Sequence, residues 1–220
     1  MRSRLQTLPI SLVALLFFVM TQAEAAPVTY DVFVNTSAVS GTSGFLSFQF
    51  NPGGADAQSA TVTISNFAFT GGSLAASSTN SGGASGTLPS TVTISNNALL
   101  NELFQGITFG SNFSFRLTFT GPAIDTPGGS SSGSAFGLSL YDSDEMPLLT
   151  TDPNGTVLTI LFDPNGGRAV LTFPRDENGS PSVVTITEQA AAVPEPATLL
   201  LVGTGLVGLG VVRGRRRMKE

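Results

Sequence analysis

Acidic and amide side chains gather in three short stretches of the sequence, and their oxygen atoms are the groups best suited to chemistry. The stretches are YDSDEM, TDPNG and FDPNGG. Oxygen ligands at alternate positions suit Ca²⁺, and a chain without His or Cys leaves hard cations as the natural metals. The sequence therefore admits a structural calcium and indicates no other cofactor. The candidate ligands are Asp142, Asp144, Glu145, Asp152, Asn154, Asp163 and Asn165.

The two DPNG stretches also have a simpler interpretation as turns. Proline presets φ in the turn, and glycine accepts the positive φ that follows. The full spacing of a twelve-residue calcium loop is missing. We therefore prefer turn chemistry here and keep calcium as the alternative.

Paired carboxylates would hydrolyse a glycosidic bond if two of them faced each other across a cleft. Glu102 is the further candidate for such a pair, beside the acids of YDSDEM. The chain has no Trp and only two Tyr, so it has few of the amphipathic rings that favour sugar binding. The absence of His and Cys also excludes a Ser-His-Asp triad, a thiol nucleophile and the usual zinc sites. We expect no enzyme and no catalytic residue.

Threonine pairs in a Thr-x-Thr pattern resemble the flat threonine arrays of ice-binding surfaces. Threonine is also a favourable residue for the solvated side of any strand, and the pairs do not recur at one fixed period. Ice binding is therefore a minor alternative. The pairs are Thr61/Thr63, Thr91/Thr93, Thr118/Thr120 and Thr185/Thr187.

The charge of the central region argues against polyanionic partners. Residues 26–192 contain twelve acids and three bases, a formal charge of −9. Such a surface repels nucleic acid and anionic polysaccharide unless cations bridge them. We expect no nucleic-acid partner.

The elements that would position these residues are strands, because the apolar period between residues 26 and 192 is two. In NFSFRLTFT, for example, Phe113, Phe115 and Leu117 share one face while polar residues occupy the other. This pattern predicts an all-β fold: a two-sheet antiparallel sandwich, jelly-roll-like. The nine predicted strands are residues 28–34, 44–50, 60–69, 90–96, 112–120, 134–141, 156–162, 168–173 and 182–188.

Four local features add detail to this prediction. The apolar parity within residues 60–69 changes after Ile64, which predicts a bulge near Ser65 and Asn66. NALLNELFQ, residues 97–105, has i, i+3, i+4 apolar spacing and predicts one short helix. Residues 73–90 and 121–135 are rich in Gly and Ser and are predicted to be exposed loops. TVTISN occurs at 61–66 and 91–96, and two strands with similar demands explain it better than a true repeat.

The N-terminus is typical of a secretory signal peptide. Arg2 and Arg4 precede an apolar run over residues 8–20, and Ala23 and Ala25 complete an A-x-A cleavage site. We predict a signal peptide over residues 1–25, cut after Ala25.

The C-terminus has three parts of its own. Val193, Pro194, Glu195 and Pro196 form a stiff VPEP segment, residues 197–212 carry no charge, and a basic tail follows over 213–220. Sixteen helical residues extend about 24 Å, which spans a membrane if the basic side chains snorkel. We predict a short transmembrane helix with a stop-transfer cluster on its cytoplasmic side. The cluster is Arg213, Arg215, Arg216, Arg217 and Lys219.

Glycines in the apolar segment match G-x-G-x-x-G but do not indicate a nucleotide site. Only twelve residues follow Gly208, too few for the βαβ unit and the distant acid that such a site requires. Within a membrane helix, small residues permit close approach of another helix. The matching glycines are Gly203, Gly205 and Gly208, and Gly210 adds to the small-residue face of the helix.

The order of VPEP, apolar helix and arginine cluster resembles the PEP-CTERM sorting signal of Gram-negative bacteria. In that family an exosortase recognises Pro-Glu-Pro, here Pro194 to Pro196, removes the tail and passes the protein to the cell surface. The resemblance implies export, a transient inner-membrane anchor, and a final location at the cell surface or outside the cell. The segments APVTYDV and SGFLSFQFNPG also resemble the central domains of small PEP-CTERM proteins without known activity.

These observations predict three regions: a signal peptide (1–25), a β-sandwich ectodomain (26–192) and a sorting and anchor segment (193–220). The resemblance implies a structural or adhesive role in the envelope or in the exopolysaccharide of a biofilm, with exopolysaccharide as a possible partner. The alternative is a carbohydrate-binding module or glycan hydrolase acting on matrix polysaccharide. A deep cleft with Glu102 facing Asp142, Asp144 or Glu145 would favour that alternative.

Overall fold

Two six-stranded antiparallel sheets make up the part of the chain that the structure describes. The computed structural model describes residues 27–190, which lie within one compact unit. Sheet A has the strand order β12-β1-β8-β3-β6-β5, and sheet B has the order β11-β10-β9-β2-β7-β4. Consecutive strands alternate between the sheets from β1 to β4 and from β6 to β9. The predicted all-β sandwich is confirmed.

The strand bounds are as follows. Sheet A contains β1 (Val28–Asn35), β3 (Thr61–Thr70), β5 (Gly83–Gly86), β6 (Val92–Ser95), β8 (Asn112–Thr120) and β12 (Val184–Gln189). Sheet B contains β2 (Ser43–Pro52), β4 (Ser73–Ser81), β7 (Glu102–Thr108), β9 (Ser134–Asp142), β10 (Thr156–Phe162) and β11 (Arg168–Thr172). A 3₁₀ turn at Ser37–Val39 and a four-residue helix, α1 (Pro122–Asp125), are the helical elements of residues 27–190.

Phenylalanine rings join the two sheets in the core. Phe48 of sheet B meets Phe115 of sheet A edge-on, with 5.3 Å between ring centroids, and Phe50 meets Phe119 at 5.7 Å. All four side chains are buried because strand alternation points them inward. Edge-to-face pairs of this kind add to the stabilisation that their buried area provides. Burial of the apolar side chains at alternate strand positions is therefore the main interaction that holds the two sheets together.

The predicted bulge in β3 is confirmed. The register between β3 and β8 shifts between Ser65 and Ala68, and Asn66 adopts a φ of 55°. The extra residue returns Phe67 to the core face beside Ile64, and both side chains are buried. Phe69 is 37% exposed at the end of the strand.

The two TVTISN segments pair with each other. β3 and β6 are antiparallel neighbours, with Thr61 opposite Ser95 and Thr63 opposite Thr93. Their final residues differ in role: Asn66 lies exposed in the bulge, whereas Asn96 is buried and holds Gln58 and Ala60 by hydrogen bonds. The shared sequence thus reflects two neighbouring strands that bury the same face.

The helix predicted over residues 97–105 is wrong. Leu99 is 84% exposed, so the spacing that suggested a helix does not mark a buried face. The chain instead turns around Asn101 and enters β7, where Leu103 and Ile107 are buried. The period-two alternation that continues through Ile107 therefore outweighs the local helical spacing.

The loop predicted over residues 73–90 is also wrong, because it contains β4 and β5. These are edge strands of sheets B and A, and most of their residues are exposed. Strands with so little apolar surface to bury leave only a weak signal in the sequence. In residues 121–135 the loop prediction holds except for α1 and the start of β9. No helix between residues 27 and 190 is long and apolar enough to cross a membrane.

Candidate functional site

The acidic stretches form separate turns, and each turn uses its own carboxylate. Asp142 accepts hydrogen bonds from the backbone N–H groups of Asp144 and Met146, at 2.9 Å each. Asp152 accepts from the N–H of Asn154 at 2.8 Å, and Asp163 accepts from the N–H of Asn165 at 2.8 Å. These are the contacts of Asx turns. They support the interpretation of the DPNG stretches as turns.

The candidate calcium ligands do not all meet at one place. Asp142 is the last residue of β9 and Asp152 precedes β10, so these two acids lie at the same end of an antiparallel pair. Asp163 and Asn165 follow β10 and lie at its other end. Residues 27–190 contain no group of three or more acidic side chains arranged to hold a metal ion. A structural calcium stays a prediction, and these seven residues would not form a single site for it.

Glu102 does not face the acids of YDSDEM. Along β2, Glu102 lies opposite Gln49 on one side and Asp142 lies opposite Gly44 on the other. Five residues of strand and two strand spacings separate them, about 17 Å along β2 and about 10 Å across it. Glycosidase carboxylates lie about 5–10 Å apart. This pair therefore does not form the predicted hydrolytic site.

The outer face of sheet A brings together threonines from five strands that are distant in the sequence. Neighbouring strands place Thr118 beside Thr29 on one side and beside Thr63 on the other, and Thr93 lies next to Thr63. Ser85 completes the row and shares a 2.8 Å hydrogen bond with Thr93. We call Thr29, Thr118, Thr63, Thr93 and Ser85 the threonine row. It crosses five strands, or about 19 Å.

The other predicted threonines surround this row unevenly. Thr61 and Thr120 are opposite each other in the next row, while Thr91 lies just before β6. Thr185 and Thr187 lie on β12, beyond the strand that carries Asp31 and Phe33. The sequence shows Thr-x-Thr pairs but not their alignment, which depends on pairing between distant strands.

An ion pair interrupts the outer face of sheet A beside the threonine row. The guanidinium of Arg116 donates from Nε and Nη2 to the two carboxylate oxygens of Asp31, at 2.7 and 3.0 Å. These hydrogen bonds hold the pKa of Asp31 below its ordinary value. Both side chains are more than 40% exposed. The pair joins directly opposite residues of β1 and β8 on a solvent-exposed surface.

The outer face of sheet B carries an aromatic cluster. Phe45 and Phe104 stack with 4.8 Å between ring centroids, and Tyr141 lies 6.2 Å from Phe104. Each ring is part-exposed, and the Tyr141 hydroxyl donates to the carbonyl of Asn154 at 2.7 Å. These three rings, the aromatic cluster, provide on one surface the platform that the scarcity of Trp and Tyr argued against.

A polar ladder continues from this cluster along β2. Glu102 accepts hydrogen bonds from the Ser47 hydroxyl at 2.5 Å and from the Gln49 amide at 3.0 Å. The Asn51 amide in turn donates to Gln49 Oε1 at 3.0 Å. These contacts hold the side chains of three alternate β2 residues in fixed orientations on the outer face.

A trough runs beside this ladder along β9, a central strand of sheet B. The outward positions of β9 before Tyr141 are Ala135, Gly137 and Ser139, all small, while Leu138 and Leu140 point into the core. We call the three small positions the β9 trough. Gln49 borders it on β2, and Thr159 borders it on β10.

The trough widens at the start of β9 into an open cavity of about 610 Å³. Asn51, Ala135, Leu161 and Ala169 form one row across this part of the sheet. Leu161 is 38% exposed there, which gives the cavity an apolar wall. The sequence alone does not predict this site, although HPHP alternation with three small outward residues in SAFGLSLY is a visible signal of a low surface.

The predicted signal-cleavage and sorting residues lie outside the described residues. They comprise Ala23 and Ala25, the VPEP segment, the glycines between 203 and 210 and the basic cluster from Arg213 to Lys219. The boundaries of the three predicted regions and the predicted membrane helix stay predictions.

Comparison with known proteins finds a motif match in the C-terminal tail. Residues 192–217 match the PEP-CTERM protein-sorting motif. No curated protein and no solved structure matches the chain. The motif implies export, membrane-anchored sorting through the tail and an exosortase as the processing partner. The C-terminal tail of this chain therefore carries a PEP-CTERM protein-sorting motif.

Proposed function

We propose that this chain is a non-enzymatic surface or matrix protein whose β-sandwich adheres to the exopolysaccharide layer after an exosortase removes its tail. The observation that carries the proposal is the sorting motif at residues 192–217 beside a sandwich with broad outer faces. The final location is the cell surface or the extracellular matrix of a Gram-negative bacterium.

The geometry of the carboxylates supports a non-enzymatic role. Asp142, Asp152 and Asp163 each accept hydrogen bonds from their own turns, and Glu102 accepts from Ser47 and Gln49. A glycan hydrolase requires two carboxylates that converge on one bond. Adhesion requires only a rigid, accessible surface, and the described sheets offer two.

Fractionation of cells that express the full chain with its exosortase tests this function. We expect the wild-type protein to sediment with the extracellular polysaccharide, and we expect Glu195→Ala to stay in the inner-membrane fraction. Glu177→Ala removes a charge from an exposed loop residue and serves as the control, with the wild-type distribution. A processed wild-type protein found free in the medium, without polysaccharide, would contradict the adhesive role.

The threonine row favours ice binding as a second candidate function. Hydroxyl groups repeat across five strands, and methyl groups across four of them, at the strand spacing of about 4.8 Å, which is a regular surface for ordered water. If this function holds, the full chain shows thermal hysteresis in a nanolitre osmometer, and Thr63→Lys removes it. Thr185→Lys, at the edge strand β12, retains it. Wild-type protein without thermal hysteresis rules this candidate out.

A further inference from the structure

We propose that the β9 trough binds a chain of neutral polysaccharide, laid along β9 with a sugar ring against the aromatic cluster. This proposal deepens the adhesive role proposed above, since it names the surface and the class of ligand. Four observations on the outer face of sheet B carry it: a glycine without a structural reason, an unpartnered hydroxyl, the charge of the surface and the order of the groups along the trough.

Gly137 has no structural reason to be glycine. Its φ is outside the left-handed region, and a Cβ added there meets no atom within 4 Å. The pairing of β9 with β2 is regular, whereas the register with β10 shifts just after Gly137, opposite Leu138 and Ser139. Gly44 and Gly106 of the same sheet differ, because a Cβ at either would collide with Tyr141 or Ser77. Glycine weakens a strand interior, and it marks a bulge, a bend or the close approach of a ligand. The register shift next to Gly137 places its extra residue in β10, and the open space above Gly137 leaves room for the close approach of a ligand.

Ser139 offers an unpartnered hydroxyl in the same trough. The residue is 8% exposed, and its side chain takes part in no hydrogen bond among the described residues. Every fully buried side-chain polar atom of those residues has a partner, so the Ser139 Oγ keeps some contact with solvent. A buried hydroxyl that keeps its donor and acceptor free points to a ligand with hydroxyls of its own.

The charge of the surface selects a neutral ligand. Glu102 is the one ionisable group of the polar ladder, and the described residues carry twelve acids against three bases. A polyanion would be repelled, whereas a neutral glycan meets amide and hydroxyl groups that hydrogen-bond without a net charge. The amides of Gln49 and Asn51 are held in place by their mutual contacts, so little side-chain entropy is lost on binding.

The groups along the trough are ordered for an extended polymer. From Ala135 to Tyr141 the floor runs about 20 Å, with Leu161 near one end and the aromatic cluster at the other. The C–H face of a sugar ring packs against an aromatic ring, and its hydroxyls remain free for the polar ladder. A small molecule would leave most of this length empty.

Binding of the full chain to an array of neutral polysaccharides, comprising α- and β-glucans, mannans, galactans and xylans, tests the proposal. We expect Gly137→Val to weaken binding about tenfold or more, because its side chain fills the trough. The thermal midpoint of this variant stays the same or rises, since the Cβ meets open space and valine favours strands. Phe104→Ala weakens binding by a similar factor through the loss of a stacking surface.

Ser114→Val is the matched control, because it adds a comparable side chain to the outer face of sheet A on β8. It should bind like the wild type. Binding to none of the array, equal binding by Gly137→Val, preference for the polyanion alginate, or a dimer that Gly137→Val dissociates would each overturn the proposal. A chain that is processed and sediments with the extracellular polysaccharide but binds none of these neutral glycans defeats this proposal alone, whereas a chain that binds neutral glycan but is never processed defeats the sorting function alone.

Discussion

At the scale of single residues, the acids of the three oxygen-rich stretches serve the turns in which they lie. In each of three turns a carboxylate oxygen accepts a hydrogen bond from a backbone N–H group of the same turn; the acids are Asp142, Asp152 and Asp163. The turn residues were predictable from the sequence, because D-P-N-G sets its conformation locally. The unpartnered hydroxyl of Ser139 was not predictable from the sequence, because the residues that surround it belong to strands that are distant in the chain.

The Asp31–Arg116 pair gives a prediction at the residue scale. Hydrogen bonds from Arg116 lower the pKa of Asp31 in the folded state below the unfolded value. The pair therefore stabilises the fold above the unfolded pKa, and this contribution disappears as the pH falls through the folded pKa. An NMR titration of the carboxyl carbon should place the wild-type pKa below the ordinary Asp value and should raise it towards that value in Arg116→Gln.

Arg175→Gln is the control for this titration, because Arg175 pairs with Asp176 instead. It leaves the pKa of Asp31 unchanged. Added salt weakens the effect, since both side chains of the Asp31–Arg116 pair are exposed. An ordinary pKa for Asp31 in the wild type would show that the pair does not form in solution.

At the scale of elements, the strands with buried alternating residues were predictable and the edge strands were not. β1, β2, β8, β9 and β10 each carry apolar residues on one face, and the pattern alone identifies them. β4 and β5 are edge strands with mostly exposed residues, so their sequences lack the apolar alternation of a strand and predict loops instead. The segment 97–105 misleads because Leu99, Leu100 and Leu103 have helical spacing although Asn101 organises a turn between them.

Asn101 gives the prediction at this scale. Its side chain is buried, accepts from the N–H of Gly83 and donates to the carbonyl of Phe50, so it ties the turn to sheet A and sheet B. Asn101→Ala leaves these buried groups without partners, which costs about 2 kcal/mol of unfolding free energy. Urea denaturation measures this loss. Leu99→Ala, an 84% exposed neighbour, should change stability by less than about 0.5 kcal/mol, and equal effects of the two would contradict this role of Asn101.

At the scale of the whole molecule, the sorting signal could be predicted from the sequence, whereas the candidate binding surfaces could not. The order of charges, apolar run and prolines at the C-terminus is local, so it was readable as a sorting signal and the matched motif at residues 192–217 confirms it. The β9 trough and the threonine row depend on which strands become neighbours, which the sequence does not state locally. The candidate surfaces therefore emerge only from the fold, and they lie on opposite outer faces of one sandwich.

Intact mass spectrometry of the full chain, expressed with and without an exosortase, tests directly whether the enzyme removes the C-terminal tail. We expect the exosortase to shorten the protein at its C-terminus by a mass that corresponds to cleavage near Pro194, Glu195 and Pro196, and we expect the tail to be retained without the enzyme. The same mass in both samples, with the tail still present, would contradict it.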